Sequence, residues 1–291
     1  MLKIPVDSEC PVCSNQNIQV WNAIPHLEFD LLLCPQCSFV FQPETTEMFD
    51  YDIDYYDFWD LETYSEEIRH MKLQSAYAYL QMIKERAGIN HGRLLDVGCA
   101  YGFLLEAARS RGYQAYGIDV SPAIRFAKNA GFEVFEKDFM EMSLKDNFFD
   151  VITLVDMIEH VSRPKALCRR VNRSLTLGGV IFIITPDVFS LSRRVLNQRW
   201  FHFKHEHVSY FSPTSLSTLL SETGFEIRYI GLGYKYLSYQ YVVNHFLKYN
   251  EGLVAKGLQF VGKLLPAKLA LLPIRYPTEM MCIATKSCAT A

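Results

Sequence analysis

Between Arg93 and Asp119 the chain runs through a short apolar strand, a glycine turn, a helix and a second apolar strand ending in an acid. The first strand is Arg93-Leu94-Leu95-Asp96-Val97 and the turn is Gly98-Cys99-Ala100-Tyr101-Gly102. The helical run Phe103 to Ser110 carries Leu104, Leu105, Ala107 and Ala108 on one face. The second strand, Ala115 to Asp119, ends 23 residues after Asp96. That order is the opening unit of a doubly wound α/β sheet, and it leaves few other folds open. Glycines in such a turn let the backbone approach a ligand, and an acid ending the second strand accepts hydrogen bonds from ribose hydroxyls. The expected ligand is therefore a nucleoside, the alternative being an ordinary strand-turn-helix with no ligand.

A dinucleotide fingerprint would read G-x-G-x-x-G, with a helix N-terminus aimed at the pyrophosphate. Here the turn reads Asp-x-Gly-x-Ala-x-Gly, with Ala100 where a middle glycine is expected. Asp96 at the strand tip would repel a phosphate but hold water or an ammonium group, so the turn suits a cationic ligand without phosphates. On these residues the chain resembles the class I S-adenosylmethionine-dependent methyltransferases, whose first motif is D-x-G-x-G-x-G. The resemblance implies that the turn packs on the amino-acid part of the cofactor and that Asp119 grips the ribose. A third-strand acid beside the adenine matches Asp138 in Val134-Phe135-Glu136-Lys137-Asp138-Phe139. Cofactor contacts are thus expected from Asp96, Gly98, Ala100, Gly102, Asp119, Asp138, Phe139 and Asp156.

The pattern continues along the chain. Phe149 to Val155 reads as a buried fourth strand. Pro164 to Leu175 reads as a helix opened by proline at its first turn, and Gly178-Gly179 turn it into a fifth strand, Val180 to Thr185. Ser212-Pro213-Thr214 caps a helix that ends at Gly224. Phe225 to Ile230 is a sixth strand, and Met280 to Thr285 a last one, which the resemblance pairs antiparallel with the sixth. The predicted fold is a seven-stranded, Rossmann-like α/β methyltransferase sheet preceded by a small metal module. The expected organisation is a zinc-ribbon module over residues 1–45, a linker and helix over 46–90, and the methyltransferase domain over 91–291.

The metal module rests on Cys10-Pro11-Val12-Cys13 and Cys34-Pro35-Gln36-Cys37, two C-x-x-C pairs separated by 20 residues. Four thiolates at that spacing can close a tetrahedral zinc site, and four protein ligands leave no open position for catalysis. Two disulfides, which need an oxidising compartment, and four unbonded thiols are the alternatives. Met1 to Cys10 has neither a basic start nor an apolar core, so no signal peptide is expected and the predicted location is the cytoplasm. For Cys99, Cys168, Cys282 and Cys288 no pairing is evident, and core packing is the default reading.

A zinc ribbon ahead of this domain is similar to bacterial methyltransferases that tailor sugars, polysaccharides and secondary metabolites. That narrower resemblance implies a small hydroxylated acceptor, such as a nucleotide- or lipid-linked sugar. It implies O- rather than C-methylation, since related sugar C-methyltransferases carry a further large C-terminal domain. Methyl transfer to oxygen needs an acceptor positioned in line with the sulfonium and, as a rule, relieved of a proton. Asp156-Met157-Ile158-Glu159-His160 leaves the fourth strand where sheets of this kind bind ligands. Glu159 and His160 are therefore candidates for the chemistry, or else hold the loop. Arg199 to Phe211 packs three histidines, a glutamate and several large aromatics into 13 residues, within an expected lid over 195–212. It reads as an acceptor pocket, a structural lid, or a metal site through His205 and His207. The base candidates are His207 and His160.

Three segments carry weaker signals. Asp50 to Glu62 is rich in acids and aromatics, either a linker folded over the site or a solvated loop. Glu66 to Ala87 is one long amphipathic helix. An insertion over 231–277 holds a stripe of Val254, Leu258, Val261 and Leu265 with lysines beside it. A helix over 252–268 could lie on an anionic membrane, on its own domain, or on a second copy in a homodimer. The net charge of −3 and pI of about 6.2 come without any Lys/Arg block. That balance argues against nucleic acid as the partner, although some rRNA methyltransferases also carry a zinc module; an RNA methyltransferase and a zinc-ribbon adaptor that keeps the fold without turnover are the alternative readings.

Overall fold

A computed structural model of the chain describes residues 9–24, 27, 30–43, 66–238 and 271–287. At the N-terminal end, β1 (Gln19–Ala23), β2 (Asp30–Leu33) and β3 (Val40–Phe41) form an antiparallel meander beside the four cysteines of the C-x-x-C pairs. The helix α1 (Glu66–Ala87) then leads into alternating strands and helices: β4 (Gly92–Val97), α2 (Phe103–Ser110), β5 (Tyr113–Asp119), α3 (Ile124–Asn129) and β6 (Glu133–Glu136). They are followed by β7 (Phe149–Val155), α4 (Pro164–Ser174), β8 (Leu175–Pro186) and α5 (Leu191–Leu196). The last elements are β9 (Ser209–Tyr210), α6 (Pro213–Glu222), β10 (Phe225–Ser238) and β11 (Leu271–Lys286).

The seven-stranded sheet has the order β10-β11-β8-β7-β4-β5-β6. Its strands from β6 to β8 are parallel, and β11 enters antiparallel between β8 and β10. The order reverses between β4 and β7, so the crevice beyond their carboxyl ends is where a ligand is expected. Near-continuous apolar runs such as Val180 to Ile184 are buried on both faces, as central parallel strands require. Tyr79, Leu80 and Ile83 of α1 pack with Phe182 and Ile184 on one face of the sheet. On the other face Leu167 and Val171 of α4 and Leu216, Leu219 and Leu220 of α6 share a core with Leu95, Ile152 and Ile183. Ser212 caps α6 in a reciprocal box with Ser215, and Gly224 follows the helix at φ 83°.

The core of the cysteine module is continuous with that of the sheet. Cys10, Val12, Phe39 and Phe41 belong to the same buried cluster as Ile158 and Phe211. A second sheet, β1-β2-β3-β9, pairs Val40 with Tyr210 and Phe41 with Ser209. The N-terminal module is therefore stitched by a strand to the loop that follows β8.

The predicted sixth and last strands are present and antiparallel, and both are longer than expected. β10 runs eight residues past Ile230, and β11 begins at Leu271. Residues 231–238 and 271–277 thus form a hairpin arm, which confines the predicted insertion to 239–270. Gly231 and Gly233, with a register shift between Leu232 and Gly233, interrupt the apolar alternation that would mark a strand. The helix expected over 252–268, the linker over 50–62 and Cys288 lie outside the described residues.

Candidate active site

The glycine turn is held in a shape that few sequences tolerate. Gly98 and Gly102 both stand at φ 81° and Ala100 at φ 41°. A β-carbon on Gly102 would lie 2.8 Å from that of Ala127, so the turn and α3 can meet this closely only around glycine. Ala100 occupies the left-handed region at a cost of about 1 kcal/mol. The hydrogen bond from its N–H to Oδ2 of Asp119, at 2.7 Å, offsets part of that cost. The other oxygen of Asp119 accepts the N–H of Ser121, also at 2.7 Å. Asp96 is buried at the tip of β4, and its Oδ1 accepts the hydroxyl of Thr153 at 2.6 Å. Burial pushes the Asp96 carboxyl up to about 7; Thr153 opposes the shift and Asp119 adds to it.

Asp96, Gly98, Ala100, Gly102 and Asp119 are thus brought together at the carboxyl ends of β4 and β5. Asp138 sits exposed just past β6, its Oδ1 accepting the N–H of Met140 at 2.7 Å, and Phe139 beside it is buried. Asp156 follows β7 at φ 53°, and both of its carboxylate oxygens accept Nζ of Lys235 at 2.9 Å. Lys235 also donates to Glu279 at 2.8 Å. Burial raises the Asp156 carboxyl, but Lys235 and Lys72 outweigh it and hold it below the usual range. Burial likewise works against the Lys235 ammonium, but Asp156 and Glu279 hold its pKa well above the ordinary value. Sequence reading missed Lys235, which stands on the arm that read as insertion, and Glu279, which lies between that segment and the last predicted strand and pairs with Pro186 of β8.

Glu159 and His160 form a single 3-10 turn (Ile158–His160) directly after β7. Glu159 is 2% exposed, and its Oε2 accepts the hydroxyl of Thr185 at 3.0 Å. The carbonyl of Glu159 accepts the N–H of Val208 at 3.0 Å, which draws the loop after β8 over the turn. Nδ1 of His160 donates to the carbonyl of Glu206 at 3.0 Å. The His160 and His207 rings meet edge to face, with centroids 4.8 Å apart. Burial, with Asp156 nearby, pushes Glu159 up to about 8, while burial pulls His160 down to about 4. His207 lies well below its ordinary value, through burial and then the neighbouring His160. Near neutral pH the trio is thus an uncharged acid beside two neutral imidazoles.

His205, also predicted for this site, is exposed and stands outside the group. Its contribution is its backbone carbonyl, which, like that of His207, accepts Nε2 of Gln42 at 3.0 Å. The Gln42 N–H adds a bond to the carbonyl of Val208 at 3.0 Å. Trp200, Phe203, Tyr210 and Phe211 of the same loop are all buried. Gln42, Thr153 and Thr185 were not evident as site residues, since each acts only through a partner distant in sequence.

Cys10, Cys13, Cys34 and Cys37 stand together, with sulfurs 3.6 Å apart for Cys10 and Cys37 and 3.5 Å for Cys13 and Cys34. No two of them are bonded. Sulfurs of a tetrahedral zinc site, about 2.3 Å from the ion, lie nearly this far apart, so the donor set fits zinc. Asn15 Nδ2 donates to the sulfur of Cys34 at 3.6 Å, the kind of bond that steadies a thiolate.

Comparison with known proteins identifies the domain that carries the glycine turn. The sequence model of a methyltransferase domain family matches residues 66–230. The ubiquinone biosynthesis O-methyltransferase of Pseudomonas aeruginosa (strain UCBPP-PA14) is 29% identical over 175 residues, covering 55% of this chain and 75% of that one. The enzyme of the same name from Xanthomonas oryzae pv. oryzae (strain PXO99A) is 30% identical over 160 residues, 48% and 65% of the two chains. A crystal structure of a SAM-dependent methyltransferase from Archaeoglobus fulgidus superposes with a TM-score of 0.54 at 22% identity, over 81% of this chain and all of that one. A chain of the Haloferax volcanii complex between the Trm112 methyltransferase activator and a methyltransferase gives 0.58 at 16% identity, over 82% and 98%. No helix among the described residues is long and apolar enough to cross a membrane. The match to the domain family spans more than half of the chain, which therefore belongs to the methyltransferase domain family and is an S-adenosylmethionine-dependent methyltransferase.

Proposed function

We propose that the chain methylates a hydroxyl of a small acceptor, such as a nucleotide- or lipid-linked sugar or a secondary metabolite. The carrying observation is the Glu159–His160–His207 group, which joins the carboxyl end of β7 to the loop after β8, next in the sheet to the strand of the glycine turn. S-adenosylmethionine, when bound, supplies a methyl group on a sulfonium. The glycine turn and Asp119 hold it, with Asp96 toward its ammonium end and Asp138 and Phe139 toward its base. The acceptor lies over the buried aromatics of the loop, and the trio promotes loss of the proton from its hydroxyl. Two neutral imidazoles and a carboxyl beside a hydroxyl are suited to that task. The O-methyltransferase names of the relatives support oxygen as the receiving atom. The net charge of −3 favours a small acceptor over RNA. We assign a structural zinc to the four cysteines, with the module serving to hold the loop in place.

The test is incubation of the protein with S-adenosylmethionine carrying a labelled methyl group and a fractionated lysate of the source cells, with Asp119→Ala as blank. Label in the water-soluble or lipid-extractable pool is the expected result and isolates the acceptor. Label only in the acid-precipitable pool would overturn the small-acceptor reading in favour of RNA or protein.

A further inference from the structure

The trio is arranged like a ligand set. One carboxyl group and two imidazoles each offer a ligand atom, and the three atoms lie within 4.8 Å of one another. A cation about 2.1 Å from each ligand needs them no more than about 4.2 Å apart, so closing the site takes shifts of a few tenths of an ångström. Two ligands are adjacent on one turn. The third, His207, is fixed from outside by the bonds of Val208 to Glu159 and of Gln42 to the His207 carbonyl.

The surroundings of the three groups point the same way. Metal-binding side chains are characteristically oriented by an outer hydrogen bond on the atom that does not ligate. Thr185 donates to one oxygen of Glu159. Nδ1–H of His160 is committed to the carbonyl of Glu206, which makes Nε2 its lone-pair nitrogen. His207 is 4% exposed, and its Nδ1 has no hydrogen-bond partner among the described residues. A buried polar nitrogen left unpaired is costly, and a bound cation would supply the missing partner.

We propose that Glu159, His160 and His207 bind a divalent transition-metal cation that activates the hydroxyl of the acceptor. The role in activation rests on the methyl-transfer reading above; the binding does not. Two nitrogens and one oxygen suit Mn(II), Fe(II), Co(II) or Zn(II) better than Mg(II) or Ca(II), and they differ from the thiolate set of the four cysteines. Three protein ligands leave coordination positions open, which favours acceptors that chelate through two neighbouring oxygens, as in a vicinal diol or catechol. Coordination lowers the pKa of the hydroxyl, and its proton leaves to solvent. The oxygen then forms a bond to the methyl carbon while the carbon–sulfur bond breaks. The electron pair stays on sulfur, leaving a neutral thioether.

The experiment is titration of the full-length, zinc-retaining protein with Mn(II) alone, followed by electron paramagnetic resonance, and then with Co(II). The expected result is one Mn(II) or Co(II) bound per chain in addition to the zinc, with no thiolate-to-cobalt absorption. Glu159→Gln and His207→Ala should lose this binding, and Thr185→Val should weaken it about 10–100-fold. Retained S-adenosylmethionine binding in each variant shows that the domain is folded. Failure of both ions to bind, or binding that persists unchanged in Glu159→Gln and His207→Ala, overturns the site. Undiminished methyl transfer after chelation of the Mn(II) overturns its catalytic role but leaves the methyl-transfer reading intact. Mn(II) binding lost in those variants, with no labelled product in any pool, supports the site and overturns that reading instead.

Discussion

Oδ2 of Asp119 accepts the backbone N–H of Ala100 at 2.7 Å, tying the acid at the end of β5 to the middle of the glycine turn. With Ser121 on its other oxygen, the carboxylate is fixed in orientation before any ligand arrives. Charge-assisted hydrogen bonds are worth about 1.5–3 kcal/mol. Asp119→Asn removes the charge and one acceptor while keeping the shape. The expected outcome is S-adenosylmethionine binding weakened roughly 10- to 100-fold by isothermal titration calorimetry. An unchanged affinity would remove Asp119 from the cofactor site.

Asp96 makes the stability of the fold depend on pH. Burial raises its carboxyl from 3.8 to about 7, so between those values the folded chain binds a proton that the unfolded chain has released. Its contribution to stability is complete below about pH 4 and is lost as the pH rises through about 7. Asn at this position still accepts the Thr153 hydroxyl and cannot ionise. In ligand-free protein, Asp96→Asn should therefore flatten the fall in melting temperature between about pH 4 and pH 7. Parallel curves for the two proteins would count against a raised Asp96.

What could be read in the sequence is what depends on neighbours along the chain. The positive φ of Gly98 and Gly102, the acid ending β5 and the cap at Ser212 are local demands, and each left a residue type that reveals it. The cysteine pairs are similar, since each C-x-x-C is a single turn. The arm formed by β10 and β11 was hidden, because Gly231 and Gly233 interrupt its alternation and its pairing spans dozens of residues. Distance in sequence also hid the docking of the cysteine module, which turns on a two-residue strand and one glutamine whose partners lie more than 160 residues away. For the same reason the histidines could be nominated but not sorted: only contact shows that His207 faces Glu159 and His160 while His205 faces solvent.

Gln42 carries the mechanical link between the module and the site. Its side chain donates to two carbonyls of the loop, and truncation leaves both without their donor, at about 1–3 kcal/mol for each that stays buried. Gln42→Ala should leave S-adenosylmethionine affinity unchanged, because none of its bonds reaches the glycine turn. Amide hydrogen exchange over residues 204–210 should accelerate by at least about tenfold, and methyl transfer should fall with it. Cys34→Ser, which removes one thiolate from the set, should accelerate exchange in the same segment through β3 and β9. Acceleration confined to the module itself would show that the loop holds its shape alone.

Lys235 provides the most direct test of how the arm is held to the sheet. Its ammonium lies 2.9 Å from Asp156 and 2.8 Å from Glu279, with 13% of its side chain exposed against 37% and 4% for the two acids. Removing one partner of a buried ion pair costs about 3–5 kcal/mol, chiefly because an uncompensated charge remains. Water reaches Asp156, so the lower end applies, and Lys235→Met should destabilise the fold by about 3 kcal/mol. For a domain of this size that lowers the melting temperature by roughly 6–12 °C. Glu279 is the acid left buried, and its carboxyl, pushed up to about 7 by burial even beside Lys235, would rise further without it. Adding Glu279→Gln to Lys235→Met should therefore recover part of the loss instead of adding to it. A double-mutant cycle should give a coupling of at least about 1 kcal/mol, and strict additivity of the two substitutions would mean that the pair does not hold the arm.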